Sequence, residues 1–251
     1  MSSMDSQEDL LFREEEFHQY HDLMVDLETL DTDRQTSTII AISAILFSRW
    51  SKDSVDSLKK GGNRIFYRKI DKGSNKLWGR TESSQTIEWW EGREEEVKKA
   101  VLRPTGGEVG LVTALADFYK FFLIASERTA IKRAWSKGSD FDLIILENLF
   151  KEMERKEKEA RFFRKGEEEP YRTEPLKCPI IFRDYRGVRG YEDMFPPQNL
   201  KLADHHPTND AIKQILDVQR AWRCAEYYKM LEKQVREIRE GTRDKIEGIP
   251  L

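Results

Sequence analysis

The sequence predicts one α/β domain built on a mixed β-sheet flanked by helices. Two apolar, β-branched stretches come early, helical periodicity follows, and further extended segments alternate with the helices. A length of 251 residues suits one compact domain with a substantial core.

Residues 1–20 form an acidic lead-in (Asp5, Glu8, Asp9, Glu14, Glu15, Glu16) to which no chemistry is assigned. LMVDLETL, residues 23–30, reads as a first strand. STIIAISAILFS, residues 37–48, reads as a second and largely buried one. Gly61 and Gly62 punctuate the chain before NRIFYRKID, a third strand in which Ile65, Tyr67 and Lys69 alternate with Phe66, Arg68 and Ile70. TIEWWEGREEEVKKAVL, from Thr86, reads as helix. After RPTGGE a second helix carries Leu111, Leu115, Phe118, Phe122 and Ala125 at three- and four-residue steps, a face to pack on the sheet. A short RAWSKGS element precedes a helix that opens apolar at DLIIL and ends in charge, with Asp140 as candidate N-cap. GEEEPYRTEPLKCP reads as an excursion. A last helix starts near Pro207 with the stripe Ala211, Ile215, Val218, Trp222 and Ala225. The expected organisation is a lead-in to residue 20, a domain over 21–231, and a charged helical extension over 232–251.

Composition narrows the function classes. With 38% hydrophobic and 35% charged residues, the chain is globular with a very polar surface, and its net charge of −3 excludes a polycation that grips long duplexes by wholesale phosphate neutralisation. Cys178 and Cys224 are too far apart to suggest a disulfide framework or a zinc site. No apolar run approaches the roughly 20 residues that cross a bilayer. The expectation is a soluble protein of the cytoplasm, in a bacterial host cell if phage-encoded.

Three groups of residues point to chemistry. Asp26 and Glu28 lie two apart, so a strand aims both carboxylates to one side. On an otherwise apolar strand they would repel and suffer desolvation, which divalent cations held by hard oxygen donors would relieve. Alone, D-x-E is a weak signal among 46 acidic residues. Asp142 follows the small-residue turn KGSD at a helix start, which by itself means no more than a favourable helix dipole. His205 stands five residues before Asp210, with Pro207 between them. A helix beginning at Pro207 leaves His205 in the preceding loop and Asp210 in the first turn, so both can aim at one point. His206 would then turn toward solvent or the helix end.

The ordered set VDLET, TIEWW, GSDFDLIIL and HHPTNDA resembles the DEDDh 3′-5′ exonucleases of the ribonuclease H-like superfamily, the ribonuclease T-like group. A phage exonuclease is the member it most resembles. The likeness runs from about His21 to Trp222; Leu143, Ile144 and the charged stretch from Glu152 to Glu174 depart from the phage pattern. It implies a ribonuclease H-like mixed sheet, with Asp26, Glu28, Asp142 and Asp210 as ligands of two Mg²⁺ or Mn²⁺ ions and His205 as general base. Thr29 and Leu30 would meet the terminal nucleotide. Trp89 and Trp90 offer aromatic faces for bases, with Trp90 placed in the site and one of the pair expected in the core. The basic run Lys59, Lys60, Arg64, Arg68 and Lys69 reads as a solvated face ahead of a backbone track. The expected substrate is the 3′ end of single-stranded nucleic acid, DNA favoured over RNA, released as nucleoside 5′-monophosphates. A second copy of the chain is a candidate partner. The alternatives are an exoribonuclease of the same fold and an inactive scaffold docking through its charged C-terminal helix.

Overall fold

A computed structural model describes residues 20–128, 131–163, 185–187 and 200–247. The acidic lead-in and the GEEEPYRTEPLKCP excursion lie outside the described residues. Three strands arise where the sequence predicts them: β1 (Asp22–Thr29), β2 (Ile39–Phe47) and β3 (Ile65–Lys69). Between β2 and β3 come the short helix α1 (Val55–Lys59), capped reciprocally by Ser54 and Ser57, and one 3₁₀ turn. Then follow α2 (Lys72–Lys76), α3 (Ser84–Glu91), α4 (Glu95–Val101), α5 (Leu111–Arg128), β4 (Arg133–Ser136), α6 (Asp142–Phe163), β5 (Tyr185–Gly187) and α7 (Pro207–Glu247). The stretch from Thr86, expected as one helix, is two. Gly92 ends α3 and α4 restarts three residues later, because the side-chain cap of Ser83 and the Gly92 stop bound the first helix. Asp140 is not the N-cap of α6; its carboxylate pairs with Arg34 at 2.8 Å.

The strand order is β3-β2-β1-β4-β5. β1 and β3 run antiparallel to β2, while β4 lies parallel to β1 and β5 parallel to β4. Alternation along β1 divides its side chains between two cores. Leu23, Val25 and Leu27 pack with Leu115 and Phe118 of α5 and Leu146 and Phe150 of α6. Met24 faces the other way, onto Ala211, Ile215 and Val218 of α7, together with Phe47 and Trp135. Each fully buried Leu, Ile or Phe contributes about 1.5–3 kcal/mol. A third cluster of Leu30, Ile40, Trp90, Val97 and Val101 seats α3 and α4 against the end of the β1–β2 pair.

Two irregularities open the carboxyl end of β1. β4 pairs with β1 only from Asp22 to Met24, so the following residues of β1 lack a neighbour on that side. On the other side the β1–β2 register slips between Glu28 and Thr29, a bulge of the kind that re-aims side chains beside functional sites. The resulting crevice at the end of two parallel strands is where α/β sheets bind ligands. The predicted stripe on α7 holds through Trp222, while Ala225 is exposed because the helix has by then left the sheet.

Candidate active site

Asp26 and Glu28 continue the α7 face of β1 beyond Met24, each 8% exposed. Asp142, the first residue of α6, reaches the same strand end, where its Oδ1 accepts a hydrogen bond from the Leu27 N–H at 3.1 Å. That amide is available because β4 has already diverged. Asp210, in the first turn of α7, accepts at Oδ2 from the His205 N–H at 2.9 Å and at Oδ1 from Lys213 Nζ at 3.1 Å. His205 reverses the chain with φ 59, a left-handed conformation uncommon for a side chain with Cβ, and so hooks the loop onto the helix it precedes. Carboxylate oxygens of Asp26, Glu28 and Asp210 all lie within 4.8 Å of one another. Asp142 lies outside that cluster but lines the same cleft, of about 480 Å³, with Lys137, Gly138, Phe141, His205, Lys213 and Gln214.

The electrostatics are those of anions held together with only partial compensation, from Lys213 on Asp210 and from Gln214 and Lys137 on Asp26. Burial, reinforced by the charges of Asp142 and Asp210, pushes the Asp26 carboxyl well above the usual carboxylate range. Burial followed by the Asp26 and Asp210 charges does the same to Glu28. Asp22, on the same strand and as deeply buried, is treated differently. It receives Arg49 Nη1 at 3.2 Å and Trp135 Nε1 at 2.8 Å. Neither Asp26 nor Glu28 has an ion-pair partner among the described residues. Hard oxygen donors, crowded and only partly compensated in an accessible cleft, fit a divalent cation.

His205 faces this cleft, its ring edge-on to Trp89 with centroids 4.6 Å apart. Burial lowers its pKa, against the opposing pull of Asp210. His206 does not turn to solvent. It stacks on Tyr67 of β3 with ring centroids 6.0 Å apart, and its Nδ1 is buried.

The residues expected to face a substrate divide between core and surface. Trp90 is 2% exposed and spends its Nε1–H on the Thr29 carbonyl at 2.9 Å, so it belongs to the core. Trp89 is 41% exposed and lines a hollow of about 430 Å³ with Thr29, Thr32, Gln85, Thr86 and the little that Trp90 exposes, sharing Leu27, Glu28 and Phe141 with the carboxylate cleft. Leu30 has no exposed surface and fills the third core instead of standing as a wedge. Thr29 is at the rim, its hydroxyl donating to the Asp31 carbonyl at 2.7 Å. The basic run is a solvated face only in part: Lys59 and Lys60 are exposed, and the other three are engaged within the fold. Arg64 is buried over the Tyr20 ring, Lys69 Nζ donates to the Lys99 carbonyl at 3.1 Å, and Arg68 pairs with Asp117 at 2.7 Å.

Gln214 and Lys213 are absent from the sequence-derived set. Gln214 Nε2 donates to Asp26 Oδ1 at 2.8 Å, and Lys213 joins Asp210 to Asp204. The available signal was position: residues three and four beyond Asp210 share its face of a helix.

A mixed sheet with helices on both faces, carrying on its central strand two buried carboxylates that meet a third from a late helix, fits the class of metal-dependent phosphodiester hydrolases. Residues 21–222 match the family described as the 3′-5′ exoribonuclease Rv2179c-like domain, and the chain belongs to that family. No curated protein matches the sequence. Among solved structures, S. pombe Pop2p with Mg²⁺ and Mn²⁺ bound is similar at 12% identity over 86% of each chain, with a TM-score of 0.40. The yeast NOT1 MIF4G domain co-crystallized with CAF1 gives 8% identity over 90% of this chain and 87% of that chain, with a TM-score of 0.44. No helix among the described residues is long and apolar enough to cross a membrane.

Proposed function

We propose that the protein removes nucleotides one at a time from the 3′ end of single-stranded RNA, using two divalent cations, Mg²⁺ or Mn²⁺. The observation that carries this reading is the trio of carboxylates within 4.8 Å, two of them buried without an ion-pair partner among the described residues, open to a cleft that His205 also lines. Asp26, Glu28 and Asp210, with Asp142 beside them, would hold the ions. When bound, such ions neutralise the phosphate and acidify water. His205 takes the proton of the attacking water. Its lowered pKa leaves the ring neutral near pH 7, as a base must be. The water oxygen bonds to phosphorus, the 3′ oxygen of the preceding nucleotide leaves, and a nucleoside 5′-monophosphate is released.

Lys137 and Lys213, which both line the cleft, supply positive charge near the phosphate. Trp89 replaces Trp90 as the aromatic platform for a base, with Thr29 beside it. The catalytic unit in this reading runs over residues 21–231, with 232–251 outside it.

RNA takes precedence over DNA on the family description; the motif likeness to a phage exonuclease, which favours DNA, is the second reading. Matched RNA and DNA oligonucleotides labelled at the 5′ end, with Mg²⁺ or Mn²⁺ and with chelator, separate them. The expected result is metal-dependent shortening of RNA, one nucleotide at a time, ahead of DNA. Faster hydrolysis of DNA would overturn the substrate assignment, and no release from either would return the chain to a scaffold role.

A further inference from the structure

Gln214 lies one helical turn beyond Asp210 on α7 and is 3% exposed. Its amide is oriented by its partner. The NH₂ end faces Asp26, where Nε2 donates to Oδ1 at 2.8 Å, the orientation that suits the ionised, cation-holding form of that carboxylate, which only accepts. The carbonyl end, Oε1, is then left buried with no hydrogen-bond partner among the described residues, in a side chain that forms part of the cleft wall. Gln219, five residues further and equally buried, shows what this fold does with a structural amide. Its Nε2 donates to the Ser48 carbonyl and to Asp53 Oδ2, both at 2.7 Å, and its Oε1 accepts from the Asp53 N–H at 3.1 Å. An unsatisfied buried acceptor is costly, so Gln214 calls for a donor that enters from the cleft.

We propose that Gln214 is a positioning residue of the active site. Its amide N–H fixes the Asp26 carboxylate in the orientation that receives a divalent cation, and its Oε1 accepts a hydrogen from water arriving with that ion. A neutral amide suits this task. Lysine or arginine at 214 would orient Asp26 equally well but would neutralise it and compete with the cation, whereas glutamine leaves the charge for the ion. The proposal rests on the metal-dependent reading above.

The test compares the full-length wild type with Gln214→Met, which keeps the length of the side chain and removes both donor and acceptor. Mn²⁺ alone is the probe, followed by calorimetry and by the Mn²⁺ electron paramagnetic resonance signal. The variant should bind Mn²⁺ about ten- to a hundredfold more weakly, as loss of a group that orients a metal ligand does. Its kcat on RNA should be low at limiting Mn²⁺ and recover as Mn²⁺ is raised, with KM for RNA unchanged. Gln214→Asn, which keeps the amide but withdraws it by one methylene, serves the same comparison if the Met variant does not fold. Wild-type Mn²⁺ affinity in either folded variant overturns the proposal. So does a loss of kcat that added Mn²⁺ does not restore. Failure of the wild type itself to bind Mn²⁺ would instead refute the metal reading beneath it.

Discussion

Replacing Asp26 by Asn separates what the carboxylate does for stability from what it does for catalysis. The oxygens of Asp26, Glu28 and Asp210 lie within 4.8 Å. At an effective dielectric constant of about 20, each fully ionised pair at that distance repels by about 3.5 kcal/mol. Burial first, and this repulsion second, favour the protonated forms and push the Asp26 and Glu28 carboxyls above the usual carboxylate range. A carboxyl whose folded pKa is raised costs nothing at low pH, where it is protonated in both states. Stability is lost as pH rises from the unfolded value of about 4 through the folded one. Metal-free wild type should therefore melt at lower temperature at pH 8 than at pH 5. Asp26→Asn keeps an oxygen for the Gln214 N–H and removes one charge from each of two pairs. A net gain of about 1–3 kcal/mol should raise its melting temperature at pH 8 by roughly 2–10 °C, with little difference near pH 4. Saturating Mn²⁺ should reverse the order, since only the wild type has the full ligand set, and the variant should not turn over. Differential scanning calorimetry at both pH values, with and without Mn²⁺, measures this. A folded Asp26→Asn protein less stable than wild type at pH 8 without metal would refute the electrostatic account of the site.

His205→Ala should lower kcat about a hundredfold at saturating metal, the usual share of a general base, and remove the acid limb of the pH-rate profile. In the wild type that limb should lie below the ordinary histidine value of about 6.5, because burial depresses the ring and activity falls only once it protonates. His206→Ala should lower thermal stability through the lost stack on Tyr67 while leaving the pH profile in place; a reversed pair of phenotypes would exchange their roles. Trp89→Ala should raise KM for short RNA about tenfold, the worth of one base–aromatic stack, with the fold retained. Trp90→Ala should instead cost about 3–5 kcal/mol of stability in denaturant unfolding, as a large void in a core does.

The contrast between the two tryptophans shows where sequence reading stops. Asp26 and Glu28 are legible because strand alternation fixes their common side without knowledge of the rest of the molecule. The loop position of His205 is legible because Pro207 marks the helix start next to it. Both inferences use rules that act over a few residues. Trp89 and Trp90 are adjacent on one short helix, and which of them is buried depends on where β1 ends: the bulge after Glu28 leaves the Thr29 carbonyl open to the Trp90 Nε1–H, 61 positions away. The same holds for Leu30, drawn into the third core, and for Arg64 and Lys69, whose charges lie near each other in sequence yet are spent on different parts of the chain. Gln214 touches Asp26 across 188 positions. Local rules thus point to the carboxylates and the candidate base, which in this chain line one cleft. The residues that orient those groups and receive a substrate are set by how α3 and α7 close over that end, which the spacing of the motifs does not encode. Side chains argued from packing alone, Gln214 and Trp89 first among them, are accordingly where mutagenesis will teach most about this enzyme.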